Sequence, residues 1–107
     1  MNQVILVGRL TKDPEIDVLE DEKKVSSVTL AVQRPFKNID GLYDTDFIRC
    51  ILWNVIAENT VEYCKKGDCV GIKGRIQSVS YEDEEKKVKT YLEVIADKVT
   101  FIGSNTK

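Results

Sequence analysis

The chain contains no histidine. Without it neither a Ser-His nor a Cys-His pair can form, and the commonest general base of enzymes is missing. Cysteine is scarce: Cys50, Cys64 and Cys69 are the only three. Their spacing fits no zinc pattern and no histidine completes one. No metal and no cofactor are therefore expected, and the thiols read as small, mostly buried side chains in a reducing compartment. Long apolar stretches are lacking too. None approaches the roughly 18 residues of a membrane span, so no membrane partner is expected. Met1-Asn2-Gln3 leads straight into Val4-Ile5-Leu6-Val7, a run too short for the core of a signal peptide, which points to the cytoplasm. There are no internal repeats and no low-complexity segments. With 107 residues, the chain is expected to form one domain, 1–107, around one core.

Hydrophobic residues make up 42% of the chain and charged residues 32%, enough apolar material for a folded core with a well-solvated surface. The net charge is −2, from 16 basic and 18 acidic residues. The acid is clustered: Glu15, Asp17, Glu20, Asp21 and Glu22 lie in one stretch, and Glu82, Asp83, Glu84 and Glu85 in another. Outside those nine, 9 acids face 16 bases, a balance of +7. Charges are screened beyond about 8 Å at physiological salt, so the local patch matters more than the total. Lys23-Lys24 and Lys86-Lys87 flank the acidic stretches, which read as solvated hairpin tips.

β-type runs dominate. Residues 3–10 form a first strand, and residues 15–20, after Pro14, a weak one. Residues 20–24 make a turn. A second strand covers 25–34, where Val28, Leu30 and Val32 alternate with Ser27, Thr29, Ala31 and Gln33, and Pro35 is expected to end it. Residues 36–45, with Asn38, Asp40 and Gly41, form a loop. The third strand is 46–53. The period then changes: Ala57, Val61 and Cys64 fall on one face of a short helix. Asn54 is expected to cap its start, Lys65 and Lys66 to suit its negative end, and Gly67 to stop it. Strand four is 69–81, residues 82–87 a hairpin tip, and strand five 88–102.

Three strands, a helix and two strands specify an all-β fold: a five-stranded oligonucleotide-binding (OB) Greek-key barrel with one short helix between strands three and four. Closing the sheet removes unpaired edges, and Gly8, Gly71 and Gly74 inside strands suit tight coiling. An SH3-like barrel offers no natural place for the helix. Strand alternation puts Phe47, Arg49, Ile51 and Trp53 on one side of the third strand and Ile48, Cys50 and Leu52 on the other. On the fourth strand it separates Lys73, Arg75, Gln77 and Tyr81 from Val70, Ile72 and Ile76. The apolar sides read as core. The mixed sides set ring faces beside cations, which is what an unpaired nucleic-acid strand needs. Ile5 and Val7 oppose Val4, Leu6 and Leu10, so the first strand is apolar on both sides, as expected if one side meets another subunit. Tyr43, Tyr63 and Tyr91 read as structural.

Several fragments, in order and spacing, make the sequence resemble the DNA-binding domain of bacterial single-stranded DNA-binding proteins over nearly its whole length. They are the opening Val4-Ile5-Leu6-Val7-Gly8-Arg9-Leu10-Thr11-Lys12-Asp13-Pro14-Glu15, then Gln33-Arg34-Pro35-Phe36-Lys37-Asn38. Asp46-Phe47-Ile48 with Trp53, Ala57-Glu58-Asn59, Lys65-Lys66-Gly67, and Gly74-Arg75-Ile76-Gln77 with Ser80-Tyr81 complete the set. The resemblance implies an OB barrel, a homotetramer, and binding of single-stranded DNA with little sequence preference during replication, recombination and repair. It carries stacking roles onto Phe36, Phe47, Trp53 and Tyr81, and phosphate contacts onto Arg9, Arg34, Lys37, Arg49, Lys73 and Arg75. The sequence departs from the family's pattern in three places. Asn54-Val55-Ile56 supplies no base after Trp53, residues 82–85 are unusually acidic, and the Gly/Pro/Gln-rich linker and acidic tip with which the family recruits replication and repair proteins are absent. A truncated form, or a short form from a phage or mobile element, would account for the last.

The expected mechanism is binding without chemistry. The alternative from another class is an OB-fold protein-interaction subunit of a replisome or primosome with weak DNA binding, favoured by the net acidity and the uncharged Asn54-Val55-Ile56. A carboxylate-dependent nuclease is disfavoured because the acids sit in solvated turns without convergent spacing.

Overall fold

β-Branched and aromatic residues in period-two runs form long strands wherever one side chain in two can be buried. The computed structural model describes residues 1–104, and the last three residues of the expected domain, 105–107, lie outside the described residues. The elements in chain order are β1 (Val4–Leu10), β2 (Asp17–Val18), β3 (Lys24–Lys37), β4 (Tyr43–Trp53), α1 (Asn54–Tyr63), β5 (Cys69–Glu82) and β6 (Val88–Gly103). The sheet order is β1-β5-β6-β4-β3-β2, and an additional β1–β3 pairing closes it. Closure rests on Arg9↔Ala31 and Leu10↔Leu30. All neighbours are antiparallel except β4 and β6, which meet in parallel at Cys50↔Val94 and Ile51↔Ile95. Five long strands closed in this order, with a helix after the third, make an OB barrel; β2 is a two-residue addition to its edge.

The inward rows supply the core. Leu30, Cys50, Leu52 and Val70 have no solvent-exposed surface, and Val28, Ile72, Val94 and Ala96 are nearly as buried. Each large side chain buried in this way contributes about 1.5–3 kcal/mol relative to exposure. The helix packs on β3, β4 and β6. It contributes Ala57 to the core, with Ile56 packed against it and Cys64 just beyond its end. Two glycines are required by close backbone approach. A Cβ on Gly8 would overlap the carbonyl oxygen of Ala31, and one on Gly74 the carbonyl oxygen of Ile95. Gly74 follows the break in the β5–β6 ladder, where Lys73 pairs with Lys98 but Gly74 with Ala96, leaving Asp97 as an extra residue.

Several expectations are corrected. The weak strand at 15–20 shrinks to Asp17–Val18. Pro35 does not end β3; the strand runs to Lys37 across a register irregularity between Gln33 and Lys37. A ladder break is where a residue without an N–H can sit in a strand. The loop is consequently short, with Asn38 Oδ1 accepting from the Asp40 and Leu42 N–H groups. Asn54 does not cap the helix. Trp53 occupies the cap position without a side-chain bond, while Asn54, the first residue of α1, has a left-handed backbone at φ 51° and its Oδ1 accepts from Lys24 N–H at 3.2 Å. The helix stops at Tyr63 with an extended Cys64. Lys65 and Lys66 therefore lie outside it, and Gly67, at φ 88°, serves the following turn, in which Asp68 N–H donates to Lys65 O. Of the expected helical face, Ala57 and Cys64 are buried but Val61 only partly; Thr60 takes its place inward, its hydroxyl donating to Ile56 O at 2.8 Å.

Ile76 is not core: it is exposed despite its inward parity. Residues 76–82 of β5 and 88–92 of β6 are open to solvent on both faces, apart from the partly buried Val79. This half of the hairpin is an arm beyond the barrel, where inward parity no longer means burial. The far end of the β3–β4 hairpin, from Gln33 and to Thr45, is a second such arm.

Candidate nucleic-acid interface

The outer surface of β4, β6 and β5 collects the mixed sides of these strands. On β4, burial alternates from Asp46 to Cys50, with Ile48 and Cys50 inward and Phe47 and Arg49 exposed; Leu52 continues the inward row. Phe47 is 68% exposed and Trp53 36%. Six residues of strand separate them, roughly 20 Å at about 3.3 Å per residue. Ile51, between them in the same row, is buried at 6%, so it is unavailable as a base or subunit contact. It lies beside Ile95 in the parallel pairing. Arg75 stands directly opposite Ile95 on β5, where an aliphatic arginine stem can cover apolar neighbours.

Arg49 reaches Glu93 of β6, Nε to Oε2 3.9 Å, with the Glu93 side chain largely buried. Arg75 Nη1 donates to Gln77 Oε1 at 2.9 Å. Tyr81, 48% exposed, ends this row on the β5–β6 arm. Its ring lies 6.0 Å from that of Tyr91, centroid to centroid, at 59°. Lys73 is also on the outer face of β5, below the ladder break, opposite Ile5 and Lys98.

Phe36 and two of the expected cations belong to the β3–β4 arm. Phe36 is 62% exposed. Lys37 Nζ sits 5.9 Å from the centroid of the Tyr43 ring. Arg34 is already partnered: its Nε lies 3.1 Å from both carboxylate oxygens of Asp46, its Nη2 2.9 Å from Oδ1, and its Nη1 3.7 Å from Asp44. The hydrogen bond Arg34 donates to Asp46, then the carboxylate's charge, raises the guanidinium's affinity for its proton. In return Arg34 holds the Asp46 carboxyl below the usual carboxylate range. Both side chains are about half exposed, so the pair is worth little as stability; its effect is to occupy the guanidinium.

Arg9 stands on β1, where Ala31 is its pairing neighbour and also that of Phe47. Two strand spacings, about 10 Å, therefore separate Arg9 from Phe47. Arg9 Nη1 donates to Gly67 O at 2.8 Å. The structure thus brings Phe47, Trp53, Tyr81, Arg49 and Arg75 onto one curved face, sets Arg9 and Lys73 at its margins, and carries Phe36, Arg34 and Lys37 on an arm. Two outward side chains escaped the sequence reading: Tyr91, and Lys89, which is opposite Tyr81 and 3.7 Å from Asp83. The signal was present, because Val94 and Ala96 turned inward fix Tyr91 and Glu93 outward.

Among the described residues no group of three or more Cys, Asp or Glu is placed to hold a metal ion, and no helix is long and apolar enough to cross a membrane. Cys50 and Cys64 are buried. Burial pushes the Cys50 thiol up to about 11, and burial followed by the charge of Asp68 raises that of Cys64. Both are poor nucleophiles.

The model of the single-strand binding protein family matches residues 1–102. The chain is 52% identical over 101 residues to single-stranded DNA-binding protein B of Bacillus subtilis, covering 94% of this chain and 89% of that protein. It is 45% identical over 104 residues to single-stranded DNA-binding protein 3 of Listeria innocua, covering 97% of this chain and 65% of that one. It is also 45% identical over 102 residues to the single-stranded DNA-binding protein of Halalkalibacterium halodurans, covering 95% and 61%. Apart from the Bacillus subtilis protein, it therefore spans less than two thirds of the length of these relatives. With the barrel, the ring-and-cation face and a match reaching almost from end to end, the chain belongs to the single-strand binding protein family.

Proposed function

We propose that this protein binds single-stranded DNA with little sequence preference and performs no chemistry on it. Bases stack on Phe36, Phe47, Trp53 and Tyr81, while Arg9, Arg34, Lys37, Arg49, Lys73 and Arg75 neutralise phosphates. The observation that carries the reading is the outward row of Phe47, Trp53 and Tyr81 with Arg49 and Arg75 between them. Stacking is tolerant of sequence because every base has a π-face, and each ring contributes on the order of 1–3 kcal/mol by alanine substitution. Each phosphate contact adds about −0.7 to the slope of log affinity against log salt, so the slope is about −3.5 while Asp46 holds Arg34 and near −4 when all six cations engage. The names of the relatives support the same ligand.

The biological role follows from the ligand: protection of unwound DNA during replication, recombination and repair, in the cytoplasm. The protein acts as a homotetramer. Ile5 and Val7 form an exposed apolar pair on the outer face of β1, which suits packing against another copy, and joined grooves would add avidity along one strand. Titration with oligo-dT, following the emission of the single tryptophan, Trp53, tests the proposal. Strong quenching is expected, with a stoichiometry fixed by a molar-mass measurement on the same sample. No quenching at low salt would replace the proposal with a protein-interaction subunit.

A further inference from the structure

We infer that Tyr91 is a fifth stacking ring, forming with Tyr81 a two-ring platform on the β5–β6 arm that links Tyr81 to Phe47. The inference rests on the DNA-binding reading and adds a residue to it. Three observations carry it.

The first is direction. Val94 and Ala96 of β6 are buried inward, so alternation turns Tyr91 outward with Glu93. The ladder pairs Val79 with Tyr91 and Tyr81 with Lys89, placing the two tyrosines diagonally on one face, within reach of aromatic side chains. The second is openness. Tyr91 is 39% exposed and Tyr81 48%, and at 6.0 Å and 59° neither ring lies flat over the other, so ring surface stays free for a base. The third is register across to β4. Cys50 pairs with Val94 and Ile51 with Ile95. The same offset holds one step outward, where Arg49 meets Glu93 at 3.9 Å. Carried to the next outward position on each strand, it sets Tyr91 level with Phe47. The paired segment ends at Cys50↔Val94, so Tyr91 stands on the arm beyond it, on the outward face that carries Tyr81 and Phe47. A purely structural tyrosine here would be packed under the sheet; this one stands on an arm that has no core beneath it.

A protein carrying Trp53→Phe and Tyr91→Trp has its single indole at the inferred site. Its emission should be quenched on saturation with oligo-dT, with binding followed independently by the anisotropy of a labelled oligonucleotide. Unchanged emission on a protein that anisotropy shows to be saturated would overturn the inference. In the otherwise native chain, Tyr91→Ala should weaken oligo-dT binding about 5- to 150-fold, and Tyr91→Phe should restore it. Phe47→Ala, measured in parallel, separates the two levels. If Phe47→Ala weakens binding and Tyr91→Ala does not, Tyr91 is excluded and the face stands. If neither does, the DNA face itself is wrong. Should Tyr91→Ala fail to fold, the indole measurement still decides.

Discussion

Replacing Gly74 by alanine tests the link between the barrel and its outer face. The added methyl would overlap the carbonyl oxygen of Ile95, lie 2.9 Å from its carbonyl carbon and 3.1 Å from Ala96 Cα. All three obstacles are backbone, so no side chain can rotate out of the way. Overpacking of this kind costs typically 1–3 kcal/mol, and a backbone overlap belongs at the upper end. For a domain of this size each kcal/mol lowers Tm by about 4–8 °C, so a loss of roughly 12–24 °C is expected. The site should suffer as well. Gly74 adjoins the break that re-phases β5 against β6, and a one-residue slip relieving the overlap would turn Arg75, Gln77 and Tyr81 to the opposite face. Thermal melting by circular dichroism, at one protein concentration because assembly shifts Tm, reads the first effect, and oligo-dT titration the second. Gly103→Ala is the control, since a Cβ there meets nothing within 4 Å. If Gly74→Ala melts with Gly103→Ala and binds DNA normally, the strands do not approach as described and the reasoning is refuted.

Asp46→Asn should release the Arg34 guanidinium from its main partner. Oligo-dT affinity at low salt should rise and the log–log salt slope steepen by up to about 0.7; an unchanged slope would place Arg34 outside the DNA path. Ser26 is fully buried and its hydroxyl has no hydrogen-bond partner. Ser26→Ala removes an unsatisfied polar group and should be neutral or stabilise by up to about 1–3 kcal/mol; a lower melting temperature would show that the hydroxyl is satisfied in solution. A maleimide should label native protein first at the partly exposed Cys69, and Cys50 and Cys64 only after denaturation. The Cys50 thiol titrates near 11 when folded against an ordinary 9.0. The unfolded chain therefore loses this proton first, and stability should fall as pH rises from about 9 to 11. A Cys50→Ala variant should show a shallower decline over that window, and an equal decline would exclude Cys50 as its source.

The sequence by itself determined the strands, the helix and the inward rows of the barrel. Val28, Leu30, Cys50, Leu52, Val70 and Ile72 lie on alternating positions, and a half-buried strand permits only one orientation of such a pattern. The same alternation put Phe47 and Arg49 outward. Local chemistry failed at the boundaries. Pro35 lies inside a strand because the ladder breaks beside it, and Asn54 holds Lys24 on another strand instead of the helix start. Each outcome depends on a partner distant in sequence. Only the tertiary structure decided that Ile51 is covered while Ile76 is bare. Parity names the face of a strand, but burial needs something on that face, and the barrel ends before the β5–β6 hairpin does. Likewise Arg34 and Arg49 are both cations in the sequence, yet the fold brings Asp46 against one and Glu93 against the other. Alternation with Val94 and Ala96 already turned Tyr91 outward, but only the β5–β6 register set it diagonally against Tyr81.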